Sequence, residues 1–241
     1  MLLLAVLAIP APALAVTEHA RLDTAPIDIQ DVVSIQRGAK VFVNYCLSCH
    51  SAKHMRYNRL TELGLTEEQI RDNLMFTAEK VGETIRVPLD TKQGRQWFGV
   101  APPDLSVVAR SRGADWLYTY LRTFYLDESR PWGVNNAVFP SVGMPHVLWE
   151  LQGWQKPIHG TVHDASGEKK EVVTGVQLVE PGAMTQPEFD AAMADLVNFL
   201  AYIGEPAQLE RKRIGWWVLG FLVLAFAVFY PLKKEYWKDV H

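Results

Sequence analysis

The chain has 241 residues, 49% of them hydrophobic, and its 24 basic and 27 acidic side chains leave a net charge of -3. That balance gives no basic surface for nucleic acid, and no Gly-rich phosphate loop comes after a plausible strand, which sets nucleotide-dependent chemistry aside. Much of the hydrophobic content lies in two terminal segments, and residues 16–213 between them suffice for one domain with a real core.

The N-terminal segment is unbroken apolar sequence from Leu2 to Ala8, and Ala13-Leu14-Ala15 then places small residues two apart. This reads as a secretory signal over residues 1–15 ending in an Ala-x-Ala cleavage site, although no Lys or Arg precedes the apolar run. Export would put the body of the chain under oxidising conditions. Val16 to Val33 is next, an extended polar lead that is expected to lie on the surface.

A helix is expected from about Ser34, amphipathic over Gln36 to Tyr45, and it runs into Cys46-Leu47-Ser48-Cys49-His50. These are the only two cysteines in the sequence. Their spacing, with His directly after, is the c-type haem attachment pattern, in which both sulfurs bond the porphyrin and the imidazole takes the iron. On one helical turn residues three apart share a face, so both sulfurs reach one edge of the macrocycle. The rival readings are a thioredoxin-like dithiol, half of a zinc site, and chance. A dithiol enzyme would want its first Cys at a helix N-terminus, whereas this one comes after a helix, and the zinc reading lacks a second ligand pair.

Further along, Thr66-Glu67-Glu68-Gln69 opens a helix to about Lys80 with Thr66 as its cap. A Pro-stiffened loop from Gly99 to Ser106 leads to a helix over Ala114 to Phe124. The chain is turn-rich from Pro131 to Gly143, and Gln155 to Val179 reads as a strand pair with Asp164-Ala165-Ser166-Gly167 at its tip. Gln186 to Ile203 carries a strong helical period in Phe189, Met193, Leu196, Val197 and Leu200. Gly38 would let this helix cross the attachment helix closely.

The run Ile214 to Leu232 contains no charge, and at about 1.5 Å per residue it covers roughly 28 Å, the thickness of a bilayer core. Trp216, Trp217, Tyr230, Tyr236 and Trp237 form interfacial belts, with Lys233 and Lys234 as anchors. Basic residues flank both ends, so its direction is set by the signal peptide: residues 16–213 outside and the tail 233–241 in the cytoplasm.

Several separated motifs stand in one order: Cys46-Leu47-Ser48-Cys49-His50, Ala101-Pro102-Pro103-Asp104-Leu105-Ser106, Val142-Gly143-Met144-Pro145, and Gly204-Glu205-Pro206 with Arg211-Lys212-Arg213 and the span after it. In this the chain resembles the cytochrome c1 family, the haem subunits of ubiquinol:cytochrome c oxidoreductase (cytochrome bc1) complexes, in a bacterial form. The resemblance implies a mainly α, class I-like cytochrome c haem domain, here with a small β-hairpin insertion and a C-terminal transmembrane helix. It implies one covalent haem c, bonded by Cys46 and Cys49, with iron between His50 and Met144. It matches Arg110 to a position that pairs with a haem propionate, a task suited to a planar guanidinium; a solvated helix charge is the plainer alternative. Pro102 and Pro103 would wall the haem on the His50 side, with a loop carbonyl accepting from the imidazole. Spacing alone leaves Met184 a rival to Met144, because it precedes the terminal helix; the resemblance decides for Met144. Met55 lies too close to His50 to reach the opposite face, Met75 and Met193 belong to helix faces, and His146 is expected at the surface or in a hydrogen bond.

The implied role is an electron relay in the bacterial inner membrane with its haem domain in the periplasm. Its partners would be cytochrome b, the Rieske iron-sulfur protein, a soluble or tethered cytochrome c as acceptor, and membrane lipid, in a dimeric complex. The main competitor is an anchored monohaem cytochrome c serving a terminal oxidase. A haem enzyme with an open iron, or a dithiol oxidoreductase without haem, would also be conceivable from the motif alone.

Overall fold

The computed structural model describes residues 21–163 and 168–239. The signal-like segment 1–15 and the expected hairpin tip, Asp164 to Gly167, lie outside the described residues. Eight α-helices and three separate two-stranded antiparallel sheets make up the described chain. The helices are α1 (Val32–Val41), α2 (Glu67–Asn73), α3 (Thr91–Phe98), α4 (Val108–Arg112), α5 (Ala114–Arg122), α6 (Trp149–Gln152), α7 (Gln186–Gly204) and α8 (Gln208–Tyr236). The strands pair as β1 (Ala52–Arg56) with β2 (Thr84–Ile85), β3 (Phe124–Leu126) with β4 (Val134–Asn136), and β5 (Gly153–His163) with β6 (Lys169–Pro181). The architecture is mainly α with a hairpin and one C-terminal apolar helix, as the sequence implies.

The core is built where α1 crosses α7. Asp31 caps α1, its side chain accepting from Ser34 N at 2.9 Å, and the burial of Ile35, Gly38, Ala39 and Phe42 gives the helix one apolar face. That face meets α7, whose Phe199 ring lies 5.4 Å from Phe42. The expected close crossing at Gly38 is present: a Cβ there would collide with the Asp195 carbonyl. The lead before α1 is pinned rather than loose, with Asp23 N donating to Thr119 Oγ1 and Ala25 N to Asp115 Oδ1, both at 2.8 Å.

Element ends differ from the sequence reading in two places. α2 stops at Asn73 instead of continuing to about Lys80; Asn73 Nδ2 turns back onto Gln69 O at 2.8 Å, and Leu74 and Met75 are buried from an irregular segment. α5 stops at Arg122, because Phe124 pairs with Asn136 as the first residue of β3. In both cases tertiary burial satisfies apolar residues that a helical period had claimed. The Thr66 capping box is formed as expected, with Gln69 N donating to Thr66 Oγ1 and Thr66 N to Gln69 Oε1.

α8 contains the predicted apolar run and is the one described helix long and apolar enough to cross a membrane. None of its residues is buried against the rest of the protein.

Candidate functional site

Between α1 and the cysteine motif the backbone widens into a π-helical turn over Phe42–Cys46, with Leu47 N donating to Phe42 O at 3.0 Å, five residues back. A π turn inserts one residue and rotates the chain beyond it, a device common at functional sites. Cys46 O then accepts from Cys49 N at 3.1 Å and from His50 N at 2.8 Å. This tight closure sends Cys46, Cys49 and His50 into one cleft.

The opposing wall is the Pro102–Ser106 loop, which is stitched to the chain leaving the motif. Leu105 N donates to Ser51 O at 2.7 Å, Lys53 N to Asp104 Oδ2 at 3.0 Å, and His54 N to Ser106 Oγ at 3.0 Å. The stitching brings Pro103 O to 2.8 Å from His50 Nδ1. A carbonyl only accepts, so Nδ1 carries the proton and Nε2 keeps its lone pair for a metal. Burial lowers the His50 pKa, with the Pro103 bond opposing it.

The far side of the cleft is the loop around Met144. Ser141 has a positive φ of 63° and is held by Asn135 Oδ1, which accepts its N–H at 2.8 Å, and by Arg130 Nη2, which donates to its carbonyl at 3.0 Å. Gly143 permits close approach: a Cβ there would lie 3.0 Å from Val100 Cγ2 and 3.4 Å from Phe98 O. Tyr120 reaches in from α5, its hydroxyl donating to Met144 Sδ at 3.4 Å.

Cys46, Cys49, His50, Pro102, Pro103 and Met144, scattered over about a hundred positions of sequence, all line this one cleft. Its walls are overwhelmingly apolar, formed by Tyr45, Phe98, Val100, Val147 and the prolines around the sulfur and imidazole groups. Val100, exposed at 58%, lines it, and Trp97 and Trp132, exposed at 57% and 44%, pack against its lining residue Phe98. The donor set is two thiols, one imidazole nitrogen and one thioether, which fits a haem bonded through both sulfurs and ligated from both faces. Burial pushes the Cys46 thiol up to about 12, with Cys49 adding to the effect. Among the described residues no group of three or more His, Cys, Asp or Glu side chains is arranged to hold a bare metal ion.

Two residues sit differently from the sequence reading. Arg110 does not line the cleft; its Nη1 lies 3.9 Å from Glu205 Oε2 and its stem packs on Gly204. Arg112, two positions later, faces the aromatic side, its guanidinium 5.2 Å from the Trp116 ring and 5.8 Å from Phe139. His146 is buried rather than superficial, stacked 5.0 Å from Phe124 and edge-on to Trp154. Burial takes its pKa down to about 4, so it is a neutral packing ring. Met184 packs against the main core, its N–H on Leu151 O, and Met55, Met75 and Met193 are core residues. Tyr120 was legible only as an apolar-face residue; its spacing from Trp116, one helical turn away, was the signal for a stacked pair.

Comparison with known proteins shows the family. The cytochrome C1 family model matches residues 24–240. Cytochrome c1 of Allochromatium vinosum is 52% identical over 225 residues, 93% of this chain and 91% of the relative. The ammonia monooxygenase gamma subunit of Nitrosomonas europaea is 48% identical over 240 residues, 100% of this chain and 97% of the relative. The mitochondrial cytochrome c1 of Saccharomyces cerevisiae is 25% identical over 242 residues, covering 89% and 70%. With a match across nearly its whole length and a cleft of the right donors, the chain belongs to the cytochrome c1 family.

Proposed function

We propose that this chain is the electron-relay subunit of a bacterial cytochrome bc1 complex, taking one electron at a time from a Rieske iron-sulfur protein and passing it to a cytochrome c, with quinol chemistry left to cytochrome b. The carrying observation is the convergence of Cys46, Cys49, His50 and Met144 on one apolar cleft. Residues 1–15 would be removed as a signal, 16–213 would form the periplasmic haem domain, 214–232 would span the inner membrane, and 233–241 would lie in the cytoplasm.

One covalent haem would supply the chemistry, a one-electron change at iron that Met ligation biases toward the ferrous state. The chain's own residues make that change simple. Cys46 and Cys49 would hold the ring, and Pro103 O fixes the His50 imidazole in the tautomer that presents Nε2. Met144 would supply the second iron ligand, and a haem held from both faces would have no site for a substrate at the metal. Pro102, Val100 and Phe98 line the cleft with apolar surface.

The test is to isolate the protein from detergent-solubilised membranes and identify its companions. Cytochrome b and a Rieske protein should co-purify, in a dimer, and haem should stay with the chain after acid-acetone extraction. Extractable haem would overturn the site. Co-purification with a terminal oxidase, or with the other subunits of an ammonia monooxygenase, would keep the haem site and move the relay to that system; the name of the Nitrosomonas relative makes the latter worth scoring.

A further inference from the structure

Tyr120 is placed with unusual care for a residue that the haem attachment itself does not need. Its ring stacks on Trp116 at 4.8 Å and 11° and meets Phe124 edge-on at 5.2 Å. From below, Asn136 Nδ2 donates to the Tyr120 carbonyl at 2.7 Å, tying α5 to β4 at this residue. The hydroxyl so positioned has the Met144 sulfur as its hydrogen-bond partner. A phenol is protonated at neutral pH, so the group is an O–H donor.

We infer that Tyr120 is a positioning residue for the sixth ligand: its hydroxyl donates to the Met144 thioether, aims the sulfur at the iron and raises the reduction potential. This rests on the reading of Met144 as ligand. A thioether sulfur has two lone pairs. With one engaged by Tyr120, the other is directed to the metal, and a side chain with three rotatable bonds loses its freedom to point elsewhere. The same hydrogen bond draws electron density from sulfur. Ferric iron depends on that density more than ferrous iron does, so the bond weakens the ferric complex more and favours reduction.

The competing view is that Tyr120 only fills space, and Tyr120→Phe separates the two because it keeps the ring and its stacking. The experiment uses the full-length, haem-loaded protein and reads its potential by redox titration, together with the red charge-transfer band that a thioether gives on ferric haem. Tyr120→Phe should retain the band, with a shift in position, and move the ferric/ferrous balance about threefold toward ferric, a fall of roughly 28 mV at 59 mV per tenfold for one electron. An unchanged or raised potential with the band unmoved would overturn the inference and leave Met144 as ligand. Met144→Leu is measured beside it: if that variant keeps both band and potential, the ligand assignment itself fails. Normal haem content and visible spectrum in Tyr120→Phe verify that the fold is intact.

Discussion

Gly38 and Asp195 meet backbone to backbone: a side chain on Gly38 would overlap the Asp195 carbonyl and lie 2.8 Å from Phe199 Cβ. Helices α1 and α7 are therefore pressed together at the point from which the haem motif departs. Gly38→Ala should force them apart and cost about 3 kcal/mol, the upper range for overpacking a filled core, measured as an earlier midpoint in denaturant unfolding of the haem-loaded protein. The neighbouring Arg37–Asp195 pair, with Arg37 56% exposed, should matter far less: Arg37→Ala should cost no more than about 1 kcal/mol. Equal effects of the two would mean that the crossing is not held by close approach.

The two candidate methionines differ in surroundings, and their variants should differ too. Met144→Leu should keep the haem attached, lower its potential and let carbon monoxide bind the ferrous form. Met184→Leu is a volume-conserving change against the core and should cost under about 1.5 kcal/mol while leaving the potential and the spectrum alone. Carbon monoxide binding in the Met184 variant would reverse the assignment.

Asp104 links acidity to the wall of the cleft. Burial pushes its pKa up, but hydrogen bonds from Ser106 and Lys53 outweigh it and hold the carboxyl below its ordinary 3.8. A folded pKa below the unfolded one gives stability that is fully present above 3.8 and lost as pH falls through the folded value. The stability gap between the parent and Asp104→Asn should therefore be widest near neutral pH and narrow below about pH 4, read from denaturant unfolding across that range. A gap that does not change with pH would show that the carboxylate charge is not what holds the loop.

At the junction of α7 and α8, Glu205 accepts from Arg211 Nε at 2.6 Å and faces Arg110 at 3.9 Å. One carboxylate thereby ties the anchor helix to α4, which comes directly after the Pro102–Ser106 wall. Glu205→Ala should loosen this joint and speed tryptic cleavage at Arg211, Lys212 and Arg213 severalfold, with the haem spectrum unchanged. Haem staining of the fragments on a denaturing gel gives the rate; cleavage at the parental rate would show that the helix joint is rigid without the pairs.

What the sequence revealed divides along local and non-local lines. Cys46, Cys49 and His50 are a contiguous motif, Thr66 and Gln69 satisfy one another within a turn, and α7 has an apolar period that only a helix accommodates, so each was legible from its own residues. Arg110 was assigned by matched position alone, and three-dimensional packing sends it to Glu205. His146 reads as a polar residue next to a turn-rich segment, yet the Phe124 ring of β3 and the Trp154 ring of β5 pack on it. The carbonyl partner of His50 depended on the Ser51, Lys53 and His54 bonds to a loop fifty residues away, which no local pattern encodes. The π turn at Phe42–Cys46 has the same hydrophobic period as an α-helix over so short a stretch and leaves no separate trace in the sequence.

Helix α8 is longer than a bilayer requires. Its 29 residues rise about 43 Å at 1.5 Å each, against a hydrocarbon core of about 30 Å. The surplus includes the turns bearing Arg211, Lys212 and Arg213, which suit the zone of lipid phosphates. On the proposed reading, the haem domain would stand on a long helical post whose foot the headgroups would grip, which would hold it at a fixed depth. An electron donor approaching along the membrane surface would meet the cleft at a constant height, and the distance of transfer would be governed by the donor's excursion rather than by bobbing of the acceptor.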